Sequence, residues 1–282
     1  MINNEILKRI KLVVFDLDGT LINDQNQITD ETKDRIFELE KMGVLFSIAT
    51  GRLISAVVDF ADQLNINVPL ITLDGSLIQR KPGGGSVYEA HLPSKYVKRA
   101  LKLADQYLLK SALCHDAAIY FNEENALFPQ LMDKFGAKFK PVFSYENYLE
   151  RTLEVILVGD NSYGIKHAAR KMSFPFTLGI HTSYYKSESQ GGNYYLELRK
   201  MGSNKGNGLK KLLSHLKIKM NQTAVVGDWY NDKSLFENDS LKVAVANAVP
   251  ELKKMADIVL TKTNNEGGAA EFLKMLIDAK KT

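Results

Sequence analysis

Two aspartates, Asp16 and Asp18, close the apolar run Val13-Val14-Phe15. In extended backbone alternate side chains point the same way, so this spacing predicts that the two carboxyls approach each other where water is scarce. Two unit charges about 4 Å apart repel by roughly 4 kcal/mol at an effective dielectric near 20. Either a cation binds there or one carboxyl keeps a proton. Other polar residues also end apolar runs. "FSIATGR" delivers Thr50, Gly51 and Arg52, "AVVGDWYND" delivers Asp228, Asn231 and Asp232, and "GSNKGNG" presents Lys205 upstream of a helical pattern. Several carboxylates and one ammonium form an oxygen-rich set that suits Mg²⁺, which takes a few carboxylates, waters and a phosphate oxygen.

Such residues need a scaffold that brings distant parts of the chain to one rim. The first eighty residues alternate strand-like and helical patterns. "KLVVFDL" precedes "TDETKDRIFELEKMG", where Thr29 or Asp30 caps, Ile36, Leu39 and Met42 keep helical spacing, and Gly43 stops the helix. Then come "VLFSIAT", a helix predicted over 53–64, and "PLITLDG". The rhythm returns near the end with helical "LKKLLSHLKI", strands "TAVVGD" and "LKVAVAN", helix "PELKKMAD", strand "DIVLT" and a final helix in "GGAAEFLKMLIDAKK". Short apolar strands alternating with amphipathic helices give an α/β fold, a Rossmann-like parallel sheet with helices on both faces. Ligands of such sheets bind beyond the carboxyl ends of the strands, where the polar residues fall.

Between the two halves the pattern becomes α+β, with strand-like "SVYEAHL", "LEVILVG" and "NYYLELR" and a helix in "PSKYVKRALKLADQYLL". Neither flank has enough strands for a sheet of its own. Residues 1–78 and 201–282 are therefore expected to form one discontinuous core, with 79–200 inserted as an α+β cap entered through the turn "KPGGGS".

Composition narrows the classes further. With 282 residues, 45% hydrophobic and 25% charged, the chain can bury a sizeable core. A net charge of +4 from scattered lysines argues against nucleic acid as a partner. The lone Cys114 excludes an internal disulfide and suits a reducing compartment. No stretch has the length and apolarity of a membrane span, so no membrane partner and a cytoplasmic location are expected. Oligomeric state is not legible.

Taken in order, "DLDGT", the Thr50 of "IATG", Lys205 and "GDWYND" resemble the four motifs of the haloacid dehalogenase superfamily. "NKGNGLKKLLSHL" and "AVANAVPELKKMAD" further resemble its Cof-like branch of small-molecule phosphatases. The insertion between Thr50 and Lys205 lies where that branch carries its cap, and Asp18 argues against a dehalogenase, which lacks the second aspartate. The resemblance implies a Mg²⁺-dependent phosphatase acting on small phosphomonoesters, such as sugar or cofactor phosphates, through an aspartyl-phosphate. Asp16 would be the nucleophile and Asp18 the acid and base. The metal would rest on Asp16, the backbone carbonyl of Asp18, and Asp228, with Asp232 nearby. Thr50, Asn231, Lys205 and the backbone of Leu17 and Gly51 would hold the phosphate. A dianionic phosphate among three ionised aspartates leaves a negative excess that one lysine cannot cancel, which is the physical case for the cation. The alternatives are a phosphotransferase using the same intermediate and a non-catalytic binding module on this fold.

Blander readings meet specific obstacles. "DLDGT" is not a calcium loop, since Leu21 stands where an EF-hand needs glycine. "GSNKGNG" lacks the G-K-[ST] order of a phosphate-binding Walker loop. "CHD" at Cys114–Asp116 has no second cysteine and reads as packing. Tyr184, Tyr185, Tyr194 and Tyr195 read as strand residues, with the polar loop 186–193 between them a candidate for reaching substrate. Two departures bear on the substrate: Asp74-Gly75 stands where related sequences often have Asn-Gly, and Trp229 replaces a usually small residue. An acid at 74 would disfavour a further anionic substituent on the substrate.

Overall fold

A computed structural model describes residues 4–81, 84–122, 138–186 and 192–282. Along the chain the strands are β1 (Leu12–Phe15), β2 (Leu45–Ile48), β3 (Leu70–Thr72), β4 (Leu77–Gln79) and β5 (Ser86–Glu89). They continue with β6 (Lys110–Cys114), β7 (Ile119–Asn122), β8 (Phe139–Val142), β9 (Glu154–Gly159), β10 (Ile180–Lys186) and β11 (Tyr194–Lys200). The last three are β12 (Thr223–Gly227), β13 (Leu241–Ala244) and β14 (Ile258–Val259). Two compact units emerge, one of residues 1–51, 58–87 and 204–282, the other of 52–57 and 88–203.

The first unit is built on a five-stranded sheet ordered β14-β13-β12-β1-β2, every pair parallel. Strands β1 and β12 are buried along their whole length, as continuous apolar runs in the middle of a parallel sheet must be. From β1 the chain moves outward to β2, and much later it returns on the other side to β12. The strand order therefore reverses between β1 and β12, and the crevice beyond their carboxyl ends is where an open α/β sheet takes its ligand. Helices Asp30–Lys41 and Gly268–Lys281 pack together at the sheet. Thr29 caps the first by accepting from the Thr32 amide at 3.3 Å, and Ile36 and Leu39 are buried as their spacing predicts. Met42 instead lies at the helix end and is exposed, because the helix stops at Lys41.

Three elements differ from the sequence reading. The helix predicted over 53–64 is broken into a single turn, Ile54–Ala56, and a helix, Val58–Gln63. Three β-branched residues, Ile54, Val57 and Val58, lower helix propensity there. Strand β3 is joined to the parallel sheet by an isolated bridge, from Ala49 to Ile71, and pairs antiparallel with β4. Lys205 is not upstream of its helix but opens it, in Lys205–Leu216, with the Asn204 side chain accepting from the Asn207 amide at 2.8 Å.

The second unit is a six-stranded sheet, β10-β11-β9-β6-β7-β8, antiparallel except between β7 and β8. Helices Ser94–Gln106 and Ser162–Lys171 cover one face of it. Their Val97, Ala100, Ile165 and Ala168 pack with Leu113, Val155, Leu157, Leu196 and Leu198 of the strands. Cys114 is buried in β6, where burial pushes its thiol up, so it is packing, as the lack of a second cysteine predicts. Tyr185 of β10 stacks on Tyr195 of β11 at 5.5 Å. The turn at 81–86 and the loop at 186–193 both fall partly outside the described residues.

Candidate active site

Beyond Phe15 the β1 backbone makes one more sheet bond, from the Asp16 amide to the Val226 carbonyl at 2.8 Å, which fixes Asp16 beside β12. The strand then ends. The Leu17 carbonyl accepts from the amides of Leu21 and Ile22, at 3.0 and 3.1 Å, and the chain turns. The turn takes Asp18 out of the strand that delivers Asp16. Asp16 is buried, whereas Asp18 is exposed and lies outside the cluster of buried acids. The repulsion on Asp16 comes instead from Asp232 and Asp228.

Asp16, Asp228 and Asp232 bring one carboxylate oxygen each within 4.8 Å of one another, all three side chains buried. Lys205, with no exposed surface, reaches from the first turn of its helix into this group. Its ammonium donates to Asp16 Oδ1 at 2.5 Å and to Asp232 Oδ1 at 2.7 Å. Burial alone would lower the Lys205 pKa, but Asp16 and Asp232 outweigh it and hold the ammonium charged. The other oxygen of Asp232 accepts from the backbone amides of Asp228 and Trp229, at 3.0 and 3.2 Å. Asp232 thus ties the loop after β12 to Lys205, and both its oxygens are engaged.

Asp16 and Asp228 are differently placed. Thr20 donates to Asp228 Oδ1 at 2.9 Å, and the side chains of Asp16 and Asp228 come within hydrogen-bonding reach of each other. Burial first, then the Asp232 charge, pushes Asp228 up to about 6 and Asp16 well above the usual carboxylate range despite Lys205. Only a proton or a cation between them relieves that. An oxygen-only donor set of this kind fits a hard divalent ion. Gly19 makes the approach possible. Its φ of 73° suits glycine, and a Cβ on it would lie 2.5 Å from Asp228 Oδ2.

Thr50 follows β2 and is buried, its amide donating to the Ile71 carbonyl at 2.9 Å. Gly51 comes next. After β3 the chain passes through three successive residues of positive φ, Leu73 (47°), Asp74 (46°) and Gly75 (87°). Non-glycine residues in this region cost of order 1–3 kcal/mol each and persist where surroundings over-determine them. Here the Asp74 amide donates to the Thr50 carbonyl at 3.0 Å, and a Cβ on Gly75 would strike the Asn204 carbonyl beside the Lys205 helix. Asn231, exposed after β12, donates its side-chain amide to Asp74 Oδ1 at 3.2 Å. Trp229 is 55% exposed and meets Tyr230 edge-on at 5.3 Å.

Sequence reasoning missed the groups that hold the Asp18 loop. Asn247 donates to the Gly19 carbonyl at 2.8 Å and accepts from the Asn264 amide at 2.9 Å. Asn264 in turn donates to the Ile22 carbonyl at 3.0 Å, and Asn265 to Asp24 at 3.0 Å. The bonds to Gly19, Ile22 and Asp24 each span more than 200 positions, beyond the reach of local patterns.

The reversal of strand order, with acids and one buried ammonium at its carboxyl end, defines an enzyme-type cleft on a Rossmann-like sheet. The sequence model of the haloacid dehalogenase-like hydrolases matches residues 13–273, and the chain belongs to that family. It is 27% identical to the phosphatase YwpJ of Bacillus subtilis, over 95% of this chain and 100% of that one. It is 25% identical to the 5-amino-6-(5-phospho-D-ribitylamino)uracil phosphatase YitU of the same organism, over 93% and 96%. A haloacid dehalogenase-like hydrolase from Bacteroides thetaiotaomicron superposes with a TM-score of 0.83 at 25% identity, covering 94% of this chain and 98% of that one. The family resemblance read from the four motifs holds, as do the Cof-like resemblance read from the two later stretches and the α/β class. No helix among the described residues is long and apolar enough to cross a membrane.

Proposed function

We propose that the protein is a Mg²⁺-dependent phosphatase that hydrolyses small phosphomonoesters through a phosphorylated Asp16. The carrying observation is the buried group at the strand reversal, Asp16 and Asp228 face to face with Lys205 anchoring Asp16. Support comes also from relatives whose names are phosphatases and span nearly the whole chain.

Asp16 and Asp228, with the Asp18 carbonyl, would hold the cation, and Asp232 would steady Lys205 and the β12 loop beside them. Bound there, the ion supplies positive charge that draws the phosphoryl group in and offsets its repulsion by the acids. Lys205 fixes one oxygen of Asp16, which leaves the other to attack phosphorus. Thr50, Asn231 and the amides of Leu17 and Gly51 donate to the phosphoryl oxygens. Asp18 gives a proton to the departing oxygen, whose bond to phosphorus breaks as the Asp16–phosphorus bond forms. Asp18 then takes a proton from water as that water attacks the phosphorus, which frees inorganic phosphate and restores Asp16. An exposed Asp18 suits a group that must meet both leaving group and water. Residues 79–200 would act as a cap that sets selectivity and excludes water.

Release of inorganic phosphate from p-nitrophenyl phosphate, assayed with Mg²⁺ and with a chelator, tests this reading. Turnover that depends on Mg²⁺ is expected. No turnover in either condition, or equal turnover in both, overturns it.

A further inference from the structure

Asp74 brings a fifth carboxylate to the rim, and the hydrolytic steps above make no use of it. Its carboxyl lies over the bare face of Gly51, with Oδ1 and Oδ2 at 3.4 and 3.5 Å from where a Cβ would stand. It holds the Asn231 side chain at 3.2 Å, its own amide is pinned to the Thr50 carbonyl, and its charge is felt at Lys205. Each of these four neighbours is a group assigned above to the phosphoryl site. The left-handed backbone at Leu73 and Asp74 keeps the carboxylate there at an energetic cost, so the placement is built in.

From this arrangement we propose that Asp74 is a specificity-determining residue that selects, by charge, substrates whose leaving group is uncharged or carries an amine over those with a second anion. The inference rests on the phosphatase reading. A fixed negative charge beside the bound phosphoryl group adds to the repulsion of any carboxylate or second phosphate carried near phosphorus. An ammonium in the same place is attracted. The carboxylate also receives the Asn231 amide, a separate effect that an uncharged acceptor would preserve.

Three small esters that carry the distinguishing group at the second carbon from the ester oxygen separate the possibilities: phosphoethanolamine, 2-hydroxyethyl phosphate and phosphoglycolate. The readout is the ratio of kcat/KM for the amine to that for the carboxylate, with inhibition of p-nitrophenyl phosphate turnover replacing it for any compound not hydrolysed. In Asp74→Asn, which removes the charge, keeps an acceptor and tolerates positive φ, the ratio should fall by at least about fivefold. Asp74→Ala should lower the ratio as much and also raise KM for all three alike, because Asn231 is released. A smaller fall in Asp74→Asn overturns the proposal, and so does a ratio that moves only in Asp74→Ala. If neither variant folds, the wild-type ratio carries the test: it should collapse between about 0.05 and 0.5 M NaCl, and constancy overturns the proposal. Wild-type protein inactive on p-nitrophenyl phosphate with Mg²⁺ removes the phosphatase reading itself, and the inference with it.

Discussion

At the residue scale, the chemistry depends on which acids are buried together. Asp16, Asp228 and Asp232 are, and Asp18 is not, which suits the proposed division between metal-holding acids and a proton carrier. Asp18→Asn should therefore retain Mg²⁺ affinity and lose about 10²- to 10⁴-fold in kcat on an alkyl phosphate. Formation of the phosphoenzyme from an ester with a good leaving group should suffer far less. Equal losses on both esters in that step would refute the acid role. The same burial makes a pH prediction. Asp16 and Asp228 bind protons more tightly folded than unfolded, so without metal their contribution favours folding at low pH. It is lost as pH rises from the ordinary carboxylate range through about 6, the value for Asp228. A bound divalent ion replaces the proton, so the rise in Tm on adding Mg²⁺ should be larger at pH 7.5 than at pH 5, as scanning fluorimetry would show. An equal or smaller rise at pH 7.5 would contradict this.

At the scale of elements, the strands deliver Asp16 and Asp228, but loops decide how they are used. Sequence patterns were sufficient for the strand ends because β1 and β12 are unbroken apolar runs. They failed where a turn replaces a strand. The alternation rule pairs Asp16 with Asp18, yet the Leu17 carbonyl closes a turn that leaves Asp18 exposed and outside the group of buried acids. The asparagine latch on the Asp18 loop was also hidden, since Asn247 and Asn264 have no local signature. Asn264→Ala leaves the Ile22 carbonyl without this donor and should destabilise the protein by about 1–3 kcal/mol in urea unfolding. A change within about 0.5 kcal/mol would show that the latch is dispensable.

For the whole molecule, the parallel-sheet core was legible from its strand–helix rhythm, and three of the four motifs fell at its strand ends, with Lys205 opening a helix. The second unit was less so. Strands β6, β7 and β8 were not recognised, since Lys110–Cys114, Ile119–Asn122 and Phe139–Val142 are short and lack clear alternation. Their pairing is set by contacts distant in sequence rather than by local pattern. If the acids at the β1–β12 reversal are the Mg²⁺ site, hydrogen exchange should slow on adding Mg²⁺ at 15–22 and 226–233. Strands β9 and β11 should be unchanged. Protection centred on those two strands would place the ion elsewhere.

In the proposed reaction Asp16 is the group that receives phosphorus. Acid quenching of the protein during turnover of a ³²P-labelled ester with Mg²⁺ measures this directly. Wild-type protein should retain label in an acid-stable, hydroxylamine-sensitive bond, and Asp16→Asn, folded by circular dichroism, should retain none. Label of the same kind on Asp16→Asn, or turnover of that variant at the wild-type rate, would contradict the account.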